Sequence, residues 1–211
     1  MTKLIAFFSF LLLLSSTCFA KNAYVVDSIE GTKTKIVRSG LPTYSDFQHF
    51  CKLGVRRMIV MSGNGSVEKT YAKTPWSKQN CAGFEVIYDQ KQASKTPLSE
   101  EFLNFFDKEI ETAKSTGVGV GFRCNCGCHR TGRLAAYYRM KYLNKSPENS
   151  VLDQRKKSGP AMLLHFSAMK YQIFALNDYI SGNSCGEDQK YCVTVNDTSD
   201  TNPAQNDPDD Q

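Results

Sequence analysis

Past residue 20 the chain has no apolar run long enough to span a bilayer, which excludes an internal membrane helix. It has no internal repeat, so an architecture of stacked units is excluded too. Its basic residues are not interleaved with aromatics in the manner that stacks bases, and no nucleic-acid partner is expected. Residues 196–211 contain no large apolar side chain. Such a segment cannot bury enough surface to offset its ordering entropy, and a disordered acidic tail is expected there.

What is present begins with a leader. Lys3 precedes an apolar stretch over residues 4–14, and small residues at Cys18 and Ala20 fit cleavage after Ala20. Residues 1–20 therefore read as a signal peptide, with export to the periplasm or medium and no stable membrane insertion. Residues 21–195 are the size of one domain with a real core. Without Lys3 at one end and Asp197, Asp200, Asp207, Asp209 and Asp210 at the other, that body carries 25 basic and 16 acidic side chains. An excess of this kind concentrates anionic ligands. Lys91, Lys95 and Arg133 are the charges expected nearest to a bound anion.

Of eight cysteines, Cys18 falls in the leader, and an odd set of seven remains. In an oxidising compartment at least one stays outside the disulfides. Cys185 with Cys192, across a short polar loop, is the first candidate pair, and Cys51 with Cys81 the second. Asn64-Gly65-Ser66 and Asn196-Asp197-Thr198 match glycosylation acceptors, which matter only on a eukaryotic secretory route.

Apolar spacing and turn residues predict strands at 35–38, 57–61, 84–88 and 118–122, the last alternating Val and Gly like a closely packed central strand. Helices are predicted at 44–53, from Thr96 (N-cap) and Pro97 to Gly117, at 130–143 and at 161–180; residues 62–77 read as a loop. Strands alternating with helices specify an α/β domain with a central, largely parallel sheet flanked by helices.

The chemistry concentrates in Arg123-Cys124-Asn125-Cys126-Gly127-Cys128-His129-Arg130-Thr131-Gly132-Arg133, between the central strand and a helix. A strand that feeds a tight loop into a helix N-terminus aims successive amides at one point and adds the positive end of the helix dipole. Cys124 would lie beneath that point, and Arg130 would return over it with a fork matched to two phosphate oxygens. The same field favours thiolate over thiol. Thr131 can hydrogen-bond the sulfur. Asn125, Cys126, Gly127, Cys128, His129 and Arg130 form the expected binding loop.

Cys, five residues, Arg, then Thr-Gly resembles the signature loop of the protein tyrosine and dual-specificity phosphatases, and Gly127, His129, Arg130, Thr131 and Gly132 resemble its small atypical dual-specificity members. Residues 36–40 and 54–60 are similar to the family's first strand and second strand, so the likeness spans roughly Thr34 to Ile180. It implies the phosphatase fold, with the signature loop between a central strand and a helix. It also implies a phosphomonoester hydrolase that works through a cysteinyl-phosphate intermediate, with no cofactor or metal. The implied substrates are phosphotyrosine, phosphoserine or phosphothreonine proteins, or inositol phosphates. Cys124 is the implied nucleophile, Arg130 the phosphate clamp and Thr131 the partner of the sulfur.

Two positions depart from the pattern. Arg123 stands where the family has His. The general acid expected on the segment before the long helix has one carboxylate to draw on, Asp89, although family spacing points nearer Gln92. Three other readings stay open: a catalytically weak phosphate-binding module, a thiol redox protein in which Cys126 or Cys128 traps oxidised Cys124, and a metal protein. Alternate cysteines in one loop suit a tetrahedral ion poorly.

Overall fold

The structure, a computed structural model, describes residues 22–32, 34–159 and 166–195. The expected signal peptide and acidic tail lie outside the described residues. Five strands form one sheet: β1 (Tyr24–Ser28), β2 (Lys35–Ser39), β3 (Val55–Val60), β4 (Glu85–Asp89) and β5 (Gly119–Arg123), in the order β1-β2-β5-β3-β4. β2, β5, β3 and β4 run parallel, and β1 joins the edge antiparallel. This is the expected α/β architecture, with one strand more than the periodicity predicted.

Central β5 shows why it is poor in side-chain bulk. A Cβ on Gly119 would lie 2.7 Å from the Lys35 carbonyl, and one on Gly121 2.8 Å from the Met58 Cε. Val120 and Phe122 project into the main core instead, with Phe102, Leu103, Phe106 and Ile110 from α4 (Glu100–Thr116) and Leu134 from α5 (Arg130–Leu143). Gly121 faces the second core of Val37, Phe50, Val55 and Met58 under α1 (Tyr44–Lys52). Strand alternation thus sends Arg123 to the same face as Gly121.

That face also carries two short helices in the stretch expected to be a loop: α2 (Ser66–Ala72) and α3 (Pro75–Asn80). Thr74 caps α3, accepting from the Ser77 amide, with Pro75 at its first position, so the start signal was present in a segment too short for periodicity. Both expected disulfides form. Cys51–Cys81 ties α1 to the end of α3, and Cys185–Cys192 closes the loop beyond α7 (Phe166–Ser181). By loop length alone the first restrains the unfolded chain by about 3–4 kcal/mol.

Two further differences bear on the site. α4 starts at Ser99, whose hydroxyl accepts from the Phe102 amide, three residues later than the expected Thr96 cap. Leu98 and Glu100 pair with Thr194, and the Thr96 carbonyl accepts from Arg133, which hold the chain extended until Ser99. α6 (Pro147–Ser158) was not expected at all. Its buried side is mostly polar, Ser150, Gln154 and Ser158 at steps of four beside the single apolar Val151, and carries no apolar period to detect. The expected helix at 161–180 appears as α7 from Phe166, and residues 161–165 lie outside the described residues.

Candidate active site

β5 ends at Arg123, and after six intervening residues α5 begins at Arg130, with His129 at its N-cap making no side-chain cap. The loop between them is anchored by its carbonyls. The Asn125 carbonyl accepts from the Leu41 amide (2.8 Å), the Cys126 carbonyl from Asn22 Nδ2 (2.9 Å), the Gly127 carbonyl from the Arg38 guanidinium, and the Cys128 carbonyl from the Ser158 hydroxyl (3.4 Å). A carbonyl and the next amide share one planar peptide and point opposite ways. Four consecutive carbonyls held outward in this way turn the amides that follow them, those of residues 126–129, toward the inside of the loop. Gly127 permits the turn with φ of 68°.

Cys124 is fully buried at the floor; the Thr131 hydroxyl and amide act to lower its thiol, and that hydroxyl donates to the Ser39 carbonyl (3.4 Å). Arg130 is buried at the start of α5, its Nη1 donating to the Met61 carbonyl (3.1 Å) and the Gln92 carbonyl (3.0 Å). Asn125 is exposed at the mouth, Cys126 and His129 are half-buried, and Gly127 and Cys128 are buried. Every residue of the expected binding loop is thus brought together with Cys124, Arg130 and Thr131.

The electrostatics of the sulfurs differ from the expectation. Hydrogen bonding to Cys126, then burial, push the Cys124 thiol up to about 12, with Thr131 pulling the other way. Cys128 is the acidified thiol, lowered first by its hydrogen bond with Cys126 and helped by the Arg38 charge and Asn22 Nδ2 (3.1 Å from its sulfur). Cys126 thus acts in opposite directions on its two neighbours, raising Cys124 and lowering Cys128. The Cys128 amide donates to the Cys126 sulfur at 3.0 Å, so that amide is engaged within the loop and not by Cys124.

Asp89, expected as the general acid, is engaged away from the loop. Its Oδ1 accepts from the Gly65 amide (2.8 Å) and its Oδ2 pairs with Lys69 (2.9 Å), which commits both oxygens to α2 rather than to the mouth. Partial burial works to raise this carboxyl, but the Lys69 hydrogen bond, the Gly65 amide and the charges of Lys69 and Arg123 hold it below its usual 3.8.

Arg133, expected beside a bound anion, is instead 1% exposed. It donates to the carbonyls of Ala93 (3.1 Å), Ser94 (3.3 Å) and Thr96 and to Gln172 Oε1 (3.1 Å). Arg123 is buried too, in a two-pronged pair with Glu68 (2.5 and 2.6 Å) plus bonds to Ser62 and Asn64. Asn64, in the glycosylation-like triplet, also donates to Asn125 Oδ1 (3.0 Å) and so belongs to the loop's support. Sequence reasoning missed Arg38, Glu68, Gln154 and Gln172. Only Arg38 carried a local signal, in the Arg-Ser-Gly that ends β2. Among the described residues, no group of three or more His, Cys, Asp or Glu is arranged to hold a metal ion, and no helix is long and apolar enough to cross a membrane.

Neither a family model nor a curated protein matches the chain. Solved structures do share its fold. The crystal structure of P. aeruginosa TpbA is 17% identical, with a TM-score of 0.56 over 79% of this chain and 98% of that one. TpbA in complex with pTyr gives 16% and 0.56 over 80% and 99%. The SIW14 catalytic core from S. cerevisiae gives 17% and 0.50 over 79% and 86%. At such identities the likeness establishes the fold, which is that of phosphatase structures.

Proposed function

We propose that this chain is an exported cysteine-dependent phosphatase. Cys124 attacks phosphorus, and water then hydrolyses the cysteinyl phosphate. The single observation that carries the reading is the fully buried Cys124 sulfur at the foot of a loop whose four consecutive carbonyls are held outward, with Arg130 and Thr131 following at the start of α5. Catalysis then rests on positioning and on stabilising charge at the phosphoryl oxygens. Phosphotyrosine proteins are the first substrate class, supported by the shared fold of a protein solved with pTyr, and inositol polyphosphates are the alternative. Two disulfides and the leader-like first 20 residues support an oxidising destination.

Hydrolysis of an aryl phosphate by reduced protein tests the reading. Turnover should persist with chelator, be inhibited by vanadate and vanish in Cys124→Ser. Turnover that survives Cys124→Ser would overturn it. A phosphate-binding module is the second reading, favoured by the raised Cys124 thiol and the diverted Asp89. Phosphate or vanadate binding without turnover at any pH would select it. Phosphotyrosine peptide against inositol hexakisphosphate then separates the substrate classes.

A further inference from the structure

On the phosphatase reading we infer that Asn22 is a positioning residue for the phosphate loop, its side-chain amide holding the Cys126–Gly127 peptide in the orientation that an anion meets. Asn22 lies before roughly Thr34, where the sequence likeness to the phosphatases begins. It precedes β1, is half-buried and adopts a φ of 58°, a left-handed conformation that asparagine tolerates better than most side chains. Its Nδ2 carries two hydrogens, and its two acceptors both belong to the loop: the Cys126 carbonyl at 2.9 Å and the Cys128 sulfur at 3.1 Å.

The carbonyl end matters because the Gly127 N–H lies on the other side of the same planar peptide. With the carbonyl fixed outward, that N–H faces the inside of the loop. Glycine at 127, with a φ of 68°, frees the peptide on either side of it to turn over. The peptide after it is held by the buried Arg38 guanidinium on the Gly127 carbonyl, and the peptide before it by Asn22. The Cys126 carbonyl has one further donor, the Cys128 thiol at 3.4 Å, and that bond is lost whenever this acidified sulfur ionises. Among the described residues Asn22 then holds the carbonyl by itself.

Asn22 is also tied to the neighbouring supports. Two residues on, Tyr24 registers against Arg38 in the β1–β2 pair. The Tyr24 hydroxyl donates to the Lys157 carbonyl (3.4 Å), and the Lys157 ammonium lies 5.2 Å from the centre of the Tyr24 ring. Ser158, the next residue, donates to the Cys128 carbonyl. The consecutive carbonyls of Cys126, Gly127 and Cys128 are therefore held by Asn22, Arg38 and Ser158, and Tyr24 links those three supports. The position calls for a donor and not merely for a side chain of that size. Both groups facing Nδ2 are acceptors, so a carboxylate of the same shape would set oxygen against oxygen and against an acidified sulfur.

The test compares Asn22→Gly with Asn22→Asp in the full, reduced chain, by vanadate affinity and by kcat/KM on an aryl phosphate. Glycine keeps the backbone angle and deletes the amide, whereas aspartate keeps the shape and reverses the polarity. At neutral pH, Asn22→Gly should weaken both quantities ~10-fold, the weight of one to two hydrogen bonds, and Asn22→Asp ~30-fold or more. That order marks a donor, because a packing role would make glycine the worse of the two. Aspartate equal to or better than glycine, or both variants within about twofold of wild type, overturns the inference. In the proton–nitrogen NMR spectrum, vanadate should displace the Gly127 amide of the wild type and not that of Asn22→Gly. An equal displacement in both overturns the inference, and this arm decides even if Asn22→Asp does not fold. A wild type that binds vanadate without turnover sinks the phosphatase reading and leaves the affinities to judge Asn22. A wild type that neither binds vanadate nor turns over ester sinks both.

Discussion

Arg123 and Arg133 flank the same loop, are equally buried, and have opposite partners. Arg123, on the α2 face, is matched by the buried Glu68 carboxylate. Arg133, on α5, has carbonyls and an amide oxygen as its partners among the described residues, and burial followed by the nearby Arg130 push it down to about 9. It therefore stays a cation at neutral pH. Arg38 repeats the second pattern: its guanidinium bonds Gln154 and the Gly127 carbonyl, and burial lowers its pKa against the pull of Cys124. The α2 side is thus neutralised scaffold, and the α5 side keeps positive charge behind the sulfur for an anion to meet. Family-like spacing alone would not separate the two roles.

The sharpest way to break this contrast is Glu68→Gln, which leaves Arg123 buried without its anion. A loss of about 3–5 kcal/mol in stability is expected, read by urea unfolding. Adding Arg123→Met should recover much of it, because paired removal leaves no orphan charge. Arg133→Met inverts the outcome. It should lower kcat/KM by ~10- to 100-fold, the weight of charge-assisted hydrogen bonds at ~1.5–3 kcal/mol, through a weaker anion site and a released 92–96 strip. Arg133→Lys keeps the charge and cannot span three carbonyls. If it restores vanadate affinity but not rate, field and positioning are separated; if it restores neither, the field argument fails.

The same contrast marks what the sequence made legible. The strand, loop and helix around Cys124, the places of Arg130 and Thr131, and both disulfides follow from local spacing, because each depends on neighbours in the chain or on a count of thiols. The supports were hidden because they are polar and remote. Glu68 lies 55 residues from Arg123 in a stretch read as loop, and Gln154 lies 116 from Arg38 on a helix whose buried side is mostly Ser and Gln. Apolar periodicity reports hydrophobic burial and is blind to a helix that buries hydrogen bonds. Arg133 misled for the same reason: a charge near the motif reads as exposed until its carbonyl partners are known.

Cys126 offers a smaller and opposite test. It is the leading cause of the raised Cys124 thiol. Cys126→Ala should shift the rising limb of kcat/KM to lower pH and speed iodoacetamide capture of Cys124 at neutral pH, measured by peptide mass spectrometry. A pH profile unchanged by the substitution would remove Cys126 from the account. The sign is consistent with stability: a thiol raised from 9.0 to about 12 favours the fold below pH 9.0, and that contribution fades as pH climbs toward 12.

The smallest effect belongs to Asp89. Its carboxyl is held below 3.8, so its pairing with Lys69 contributes above that pH and is lost as pH falls through the folded value. Lys69 is half-exposed, and solvent limits such a pair to ~0.2–1 kcal/mol. Asp89→Asn should therefore lower the thermal midpoint slightly at pH 7 and not at all in strong acid. Its kcat on an aryl phosphate should stay within about twofold, against the ~10²- to 10⁴-fold loss due to a missing general acid. A loss of that larger size, with the acid limb gone from the pH profile, would mean that Asp89 leaves Lys69 to protonate the departing oxygen. The neutral face of the site would then be the one that moves.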